Sequence, residues 1–178
     1  MWAYILAGVA ILVAVAVVWG VLHLRQSQKT AYAAIAKVAL ADIERLRNAC
    51  EQVFKEKFAE PLDINDLEHS ATLLSSRLDN SESLKSAFAK EDFYWYFVLP
   101  VGAFIGELLR IHAGAEWKQS EEGGLEMSLP IADGSAATFP FDKVMKQVTM
   151  GDKGDMYAYL KSAVQLETVL AKSSPLET

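Results

Sequence analysis

The sequence predicts an α+β fold: a mainly helical domain with a small three-stranded antiparallel meander, preceded by one N-terminal transmembrane helix. Three observations predict it. Residues 1–22 carry no charged side chain. Apolar residues then recur at three- and four-residue spacing over most of the chain, as they do in helices that pack on a core. Residues 116–139 instead show short extended runs separated by glycine turns, which is typical of a meander.

The distribution of charge narrows the classes of partner. The 178 residues carry a formal net charge of -6, and every charged side chain lies at or after Arg25. An acidic domain repels phosphate groups, so the sequence predicts no nucleic acid partner. Cys50 is the single cysteine, which excludes an intramolecular disulfide and a paired-cysteine metal or redox site.

Residues 1–24 are predicted to form an uncleaved membrane anchor. Their apolar stretch is long enough to cross the roughly 30 Å of a bilayer core. Aromatic side chains near its two ends and the basic residues that follow it are predicted to hold it at the lipid headgroups: Trp2, Tyr4, Trp19, Arg25 and Lys29. A cleaved signal peptide would need basic residues ahead of the apolar stretch, and none precede it.

The same basic residues predict which side of the membrane the domain occupies. Arg25, Lys29 and Lys37 precede the first acidic residue, Asp42. Because positive flanks stay on the cytoplasmic side, we expect a single-pass protein of a bacterial inner membrane with its domain in the cytoplasm. Export of the domain remains the alternative orientation.

Residues 25–60 are predicted to form a membrane-proximal amphipathic helix. Its apolar residues repeat at helical spacing and Pro61 ends it, so it would continue the anchor with little or no break, as a stalk. Two interpretations follow. The helix packs on its own domain, which its alanine-rich seam favours, or it forms a coiled coil through Cys50 and makes a homo-oligomer.

Residues 61–172 are predicted to form the α+β domain, with 173–178 as a tail. Asp63 or Asn65 would cap a helix that runs to about Asp79, and Ser81 would cap a short helix through Ala89. The apolar stretch from Phe93 to Leu109 has two interpretations, a second membrane span or a buried core helix. The stretch is too short to span a bilayer before it reaches the charged Glu107, and Pro100 divides it. Both features favour the core helix.

The second half of this domain supplies the predicted meander and two more helices. Gly114 would close the central helix, and Pro130 suggests that the middle strand ends there or bulges. The predicted strands are residues 116–118, 125–129 and 136–139, and the predicted turns between them are at Gly123-Gly124 and Asp133-Gly134. One helix is then predicted to begin at Pro140, and a last one to run from Met156 to about Ala171.

Part of the chain resembles small bacterial domains of unknown function. The resemblance rests on Gly102-Ala103-Phe104-Ile105-Gly106-Glu107, on Gly114 and Trp117, and on Pro140-Phe141-Asp142-Lys143-Val144 with Gly151. It covers about residues 93–160. It implies a glycine-rich helix that leads into a tryptophan-bearing strand, a short meander and a further helix, and a binding or immunity module more than an enzyme.

Few residues offer chemistry. Glu107 interrupts an apolar helix, so it is either an acid/base or a ligand for a peptide amine, or a carboxylate that hydrogen-bonds within the domain or reaches the surface. Asp66 and His69 share a helix face, but a metal needs at least one more ligand. Nucleotide-binding and serine-hydrolase motifs are absent from the sequence. The sequence therefore predicts no enzyme activity, no metal and no cofactor.

The predicted function is protein–protein interaction by a membrane-anchored accessory or immunity-type module. An aromatic run at 93–97 has more rings than one helix face can bury, so some of them pack inside and others could meet a partner. Trp95, Glu107 and Trp117 are the predicted partner-binding residues, and lipid is contacted through the anchor. A structural subunit of a membrane complex, assembled through the anchor and residues 25–60, is one alternative; an enzyme centred on Glu107 is another.

Overall fold

The computed structural model describes residues 29, 32–88, 92–121, 123–131, 134–150 and 155–173, the side chains of 81, 82, 150 and 166–173 excepted. The chain divides into two compact units, Met1–Ala34 and Ile35–Thr178. The predicted anchor, with Trp2, Tyr4, Trp19 and Arg25, lies outside the described residues. Of the predicted anchoring set only Lys29 is described, and it is exposed. The fold below is that of the second unit.

The predicted continuous helix over residues 25–60 is wrong in its described part. Residues 32–35 are helical, but the chain leaves the helix and re-enters it through a 3-10 turn, Leu40–Asp42, and helix α1, Ile43–Phe58. Ala39 is extended, and its N–H donates to the carboxylate of Asp42, which also accepts from Arg45. These local bonds stabilise a new helix start, as capping side chains do. The left-handed conformation of Ala59 ends α1 just before Pro61.

The apolar face of α1 packs inside its own domain. Leu46, Cys50 and Phe54 are buried, and Cys50 and Phe54 have no exposed surface. Burial raises the pKa of the Cys50 thiol well above its ordinary value. The interpretation of residues 43–58 as a helix packed on its own domain therefore agrees with the structure, and the seam around Cys50 is not available to a second copy.

Two helices follow α1: α2, Leu67–Asp79, and α3, Ser81–Ser86. Asp66 caps α2 by accepting from the N–H of His69 at 3.0 Å, so the cap is neither Asp63 nor Asn65. Asp63 instead accepts from Asn65 and closes the preceding turn. The shift is small because any of the three side chains can accept from the orphan N–H groups of a helix start.

The central helix runs through the middle of the domain. It begins with a π-helical turn, Tyr94–Val98, and continues as α4, Leu99–His112. Every residue from Phe97 to Leu109 is buried. By length and composition Tyr94–His112 could cross a membrane, yet 72% of its most apolar window is buried inside the domain. The interpretation of this stretch as a core helix agrees with that burial.

The sheet is the predicted meander in the order β1-β2-β3: Glu116–Gln119, Leu125–Ile131 and Gly134–Thr138. Gly114, with a φ of 58°, follows the end of α4 as expected. The expectation that β2 ends or bulges at Pro130 is wrong, because Pro130 pairs with Ser135 in regular register. Since β1 pairs only as far as Ser128, β2 has an open edge there, where a missing N–H is tolerated.

Two helices complete the domain, α5, Pro140–Met150, and α6, Met156–Ser173. Both begin where the sequence predicts. Phe141, Val144, Met145 and Val148 form the buried face of α5, and Met156 and Leu160 are buried on α6. The described part of the chain is thus mainly helical with one three-stranded antiparallel sheet, as the sequence predicts.

Candidate functional site

Glu107 is the one buried acidic residue among those described, and its partners lie within the domain. Arg110, one turn later on α4, donates to both carboxylate oxygens at 2.9 to 3.1 Å. The indole N–H of Trp117 on β1 donates to Oε1 at 3.0 Å. The bonds to Glu107 also raise the pKa of the Arg110 guanidinium. Glu107 thus ties the first strand to the central helix.

The two glycines of α4 allow this close approach. A Cβ at Gly106 would lie 1.9 Å from Cζ2 of Trp117, and a Cβ at Gly102 would lie 2.4 Å from Cδ1 of Phe141. The rings of Trp117 and Phe141 are themselves in contact, with centroids 5.7 Å apart. The spacing of the two glycines therefore allows tight packing in the core. Trp117 is half-buried by these contacts.

The π-helical turn presents the other predicted tryptophan to solvent. Trp95 is 53% exposed and Tyr96 is 59% exposed, whereas Phe93 and Phe97 on either side of them are buried. The N–H of Leu99 donates to the carbonyl of Tyr94, five residues earlier, which is the π spacing. Pro100 has no N–H to offer the carbonyl of Tyr96. The turn therefore combines two exposed rings with a disturbed hydrogen-bond ladder.

A cluster of phenylalanines supports this turn from inside. Phe97 stacks on Phe93 with centroids 5.4 Å apart, and it contacts Phe54, Phe58 and Phe88 at 5.6 to 6.5 Å. Edge and stacked contacts of this kind hold rings in fixed orientations. The exposed pair thus lies on a packed aromatic cluster formed by the end of α1, the residues just after α3 and the π turn.

Two cations of the chain lie over rings of this cluster. Lys57 Nζ is 4.8 Å from the centroid of Phe88, and the guanidinium carbon of Arg77 is 4.9 Å from that of Phe58. Arg77 also forms an ion pair with Glu60. Among the described residues, none places a cation over Trp95 or Tyr96.

The histidines and the acidic residues make no metal site in the described chain. His69 Nε2 lies 3.1 Å from the carbonyl of Pro61, and His112 Nε2 lies 2.9 Å from the carbonyl of Ile64. Both rings fasten the α1–α2 loop to the helices beside it. Within the described residues no group of three or more potential metal ligands occurs.

A groove of about 210 Å³ lies between α2 and α6. Its apolar lining includes Leu67, Ala71 and Val164. At its polar rim the hydroxyl of Tyr157 donates to Glu68 at 3.2 Å and accepts from Lys161 at 3.1 Å. The bond to Tyr157 raises the pKa of the Lys161 ammonium. The hydroxyl of Tyr157 thus bridges a carboxylate and an ammonium group at this rim.

The structure does not bring the three predicted partner-binding residues together. Trp95 and Glu107 are separated by three helical turns, about 18 Å along the helix axis. Trp117 lies beside Glu107, and its indole N–H donates a hydrogen bond to the carboxylate. Of the three, Trp95 alone offers a largely exposed ring. Sequence reasoning missed Tyr96 as its neighbour, although Pro100 was a signal that the preceding turn departs from α geometry.

No family model, curated protein or solved structure matches this chain. The resemblance of residues 93–160 to small bacterial domains therefore stays a prediction.

Proposed function

We propose that this protein is a membrane-anchored module that binds a protein partner through the exposed turn at Trp95 and Tyr96. The observation that carries the proposal is the exposure of two adjacent large aromatic side chains on a turn whose flanking phenylalanines pack in the core. Tryptophan and tyrosine are the side chains most often found at the energetic centres of protein interfaces. Because the neighbouring Phe93 and Phe97 pack in the core, the backbone of the turn has little freedom to lose when a partner covers the exposed pair.

The turn lies beside the end of the first helix of the domain. The C-terminal end of α1 carries Phe54 and Phe58, which contact Phe97 beside the turn. The chain enters α1 at Ile43, and the 16 residues of the helix span about 24 Å. The aromatic turn therefore lies beside the C-terminal end of α1, about 24 Å along the helix axis from Ile43.

The proposed topology is the one that the basic flank predicts, with residues 1–24 in the inner membrane and the domain in the cytoplasm. The side can be measured in a Cys50→Ala background by placing a cysteine at exposed Ser83. A bulky maleimide should label this position in lysed cells and not in intact spheroplasts. Labelling in intact spheroplasts would place the domain outside.

An enzyme centred on Glu107 is not proposed. Three hydrogen bonds from two nitrogens of Arg110 and one from Trp117 occupy the carboxylate, and they hold α4 and β1 together. A proton-transferring carboxylate has to reach a substrate atom at hydrogen-bond distance. A structural subunit would have to assemble through its anchor, because the apolar face of α1 around Cys50 is buried inside the domain.

Photocrosslinking in native membranes tests the proposed function. A photoreactive phenylalanine analogue at Tyr96 should capture one protein, whereas the same analogue at Ser162, exposed on α6, should not. The captured protein, purified separately, should bind the full chain in lipid nanodiscs and should lose that binding with Trp95→Ala. Equal capture from both positions, or binding unchanged by Trp95→Ala, would reject the proposal.

A further inference from the structure

The turn carries an acidic side chain on the same face as its two exposed rings. Asp92 is exposed, and its carbonyl accepts from the N–H of Tyr96 at 2.8 Å, four residues later. Residues three and four apart in such a turn lie side by side on one face. Asp92, Trp95 and Tyr96 therefore form one surface, which we call the acidic–aromatic face.

Each group on this face recognises positive charge. The π faces of Trp95 and Tyr96 attract cations, and tryptophan is the strongest of the aromatic side chains in this respect. The carboxylate of Asp92 accepts hydrogen bonds, and among the described residues no cation pairs with it.

Cation–π contacts already occur within the neighbouring phenylalanine cluster. Lys57 and Arg77 lie over Phe88 and Phe58, so cations of the chain occupy the neighbouring rings. The rings of the acidic–aromatic face have no such cation among the described residues. The whole chain carries a net charge of -6, which attracts a basic partner at long range.

We propose that the acidic–aromatic face binds an arginine-bearing segment of the protein partner, with the guanidinium plane stacked on Trp95 or Tyr96 and its N–H groups donated to Asp92. Arginine fits better than lysine because its planar group can stack on a ring while it bonds a carboxylate with two parallel N–H groups. This inference rests on the proposed function, since it names the chemistry of the partner at the same turn.

A fluorine label separates this face from the rest of the molecule. The full chain is prepared with 5-fluorotryptophan in lipid nanodiscs, and the four resonances are assigned by single tryptophan-to-phenylalanine substitutions. The probe is a capped peptide with two arginines and flanking leucines. Its control is the same peptide with citrulline, which keeps the shape of arginine and lacks its charge.

The expected result is a shift of the Trp95 resonance with the arginine peptide and no shift at Trp117. Replacing arginine by citrulline should weaken binding by about tenfold, and Asp92→Asn should weaken it by about fivefold, as loss of one exposed cation–π contact and one ion pair implies. Glu44→Gln, which removes the same charge from an exposed site on α1, should leave binding unchanged.

Equal shifts with both peptides, or equal weakening by Asp92→Asn and Glu44→Gln, would overturn the inference. So would a Trp95 resonance that responds to anionic lipid or protein concentration instead of peptide. The last result would assign the face to a lipid surface or a second copy. Failure of the proposed function is a separate outcome, in which Tyr96 captures no partner. A partner captured at Tyr96 whose binding is insensitive to Asp92→Asn and to salt would remove only the arginine assignment.

Discussion

Trp95 and Trp117 differ in almost every respect that decides what a tryptophan can do. Trp117 lies on a strand, half-buried, with its ring over Gly106 and its N–H bonded to Glu107 at 3.0 Å. Trp95 lies on a π-helical turn and is 53% exposed. Both were predicted to bind a partner. A tryptophan therefore indicates no function until its neighbours are known, because the same ring serves equally well as core and as contact surface.

The difference extends to the residues that surround each ring. Around Trp117 the polar groups are matched one to another, with Arg110 and the indole sharing the oxygens of Glu107. Around Trp95 the groups are solvent-facing and Asp92 has no described cationic partner. A matched cluster holds a fold together, whereas an unmatched rigid surface is available to another molecule.

Truncation of the two tryptophans should separate them most clearly. Trp117→Ala should lower the free energy of unfolding by about 3 kcal/mol, because it opens a cavity beside Gly106 and leaves Glu107 one donor short. Trp95→Ala should change it by no more than about 0.5 kcal/mol, as surface substitutions do. Chemical denaturation of the full chain in a mild detergent measures both values. Similar losses for the two variants would contradict the comparison.

Gly106→Ala should be the next largest effect, a loss of about 1 to 3 kcal/mol, because its Cβ would lie 1.9 Å from the ring of Trp117. The same denaturation measurement applies. In a Trp117→Leu background the smaller side chain leaves room, so the added methyl should cost less there. An equal cost in both backgrounds would mean that the glycine matters for a reason other than this ring.

Glu107→Gln should destabilise by about 1 to 2 kcal/mol, since the amide cannot accept at both positions from Arg110. To isolate the hydrogen bond from the indole, Glu107→Gln is also made in the Trp117→Phe variant, which lacks the indole N–H. The cost of Glu107→Gln should fall in that background. A double-mutant cycle with no coupling between residues 107 and 117 would contradict the assigned hydrogen bond.

The smallest effect on stability is expected at the turn itself. Pro100→Ala restores an N–H that can bond the carbonyl of Tyr96, so the π turn can relax toward α geometry. Stability should change by less than about 1 kcal/mol. The fluorine resonance of Trp95 should move while that of Trp117 stays in place. Movement of both resonances would show that the two regions are coupled through α4.

Most of the secondary structure could be predicted because its signals are local. The turn at Gly123-Gly124 and the helix starts at Pro140 and Met156 depend on residues a few positions apart, and they lie where the sequence places them. The wrong predictions also concern local features, but at those positions two local signals compete. The break before Ile43 depends on Asp42 and Ala39, and an unbroken helical pattern concealed it.

The candidate site could not be predicted in the same way. The sequence determined that residues 93–97 contain more rings than one helix face can bury, and that Glu107 needs partners if it is buried. Which rings face outward was decided by Phe54, Phe58 and Phe88, which come from distant parts of the chain and pack on Phe97. The tertiary structure also decided that Trp117 satisfies Glu107, ten residues earlier. The physical reason is range: dihedral preferences and caps act over a few residues, whereas burial depends on which surfaces the completed fold brings into contact.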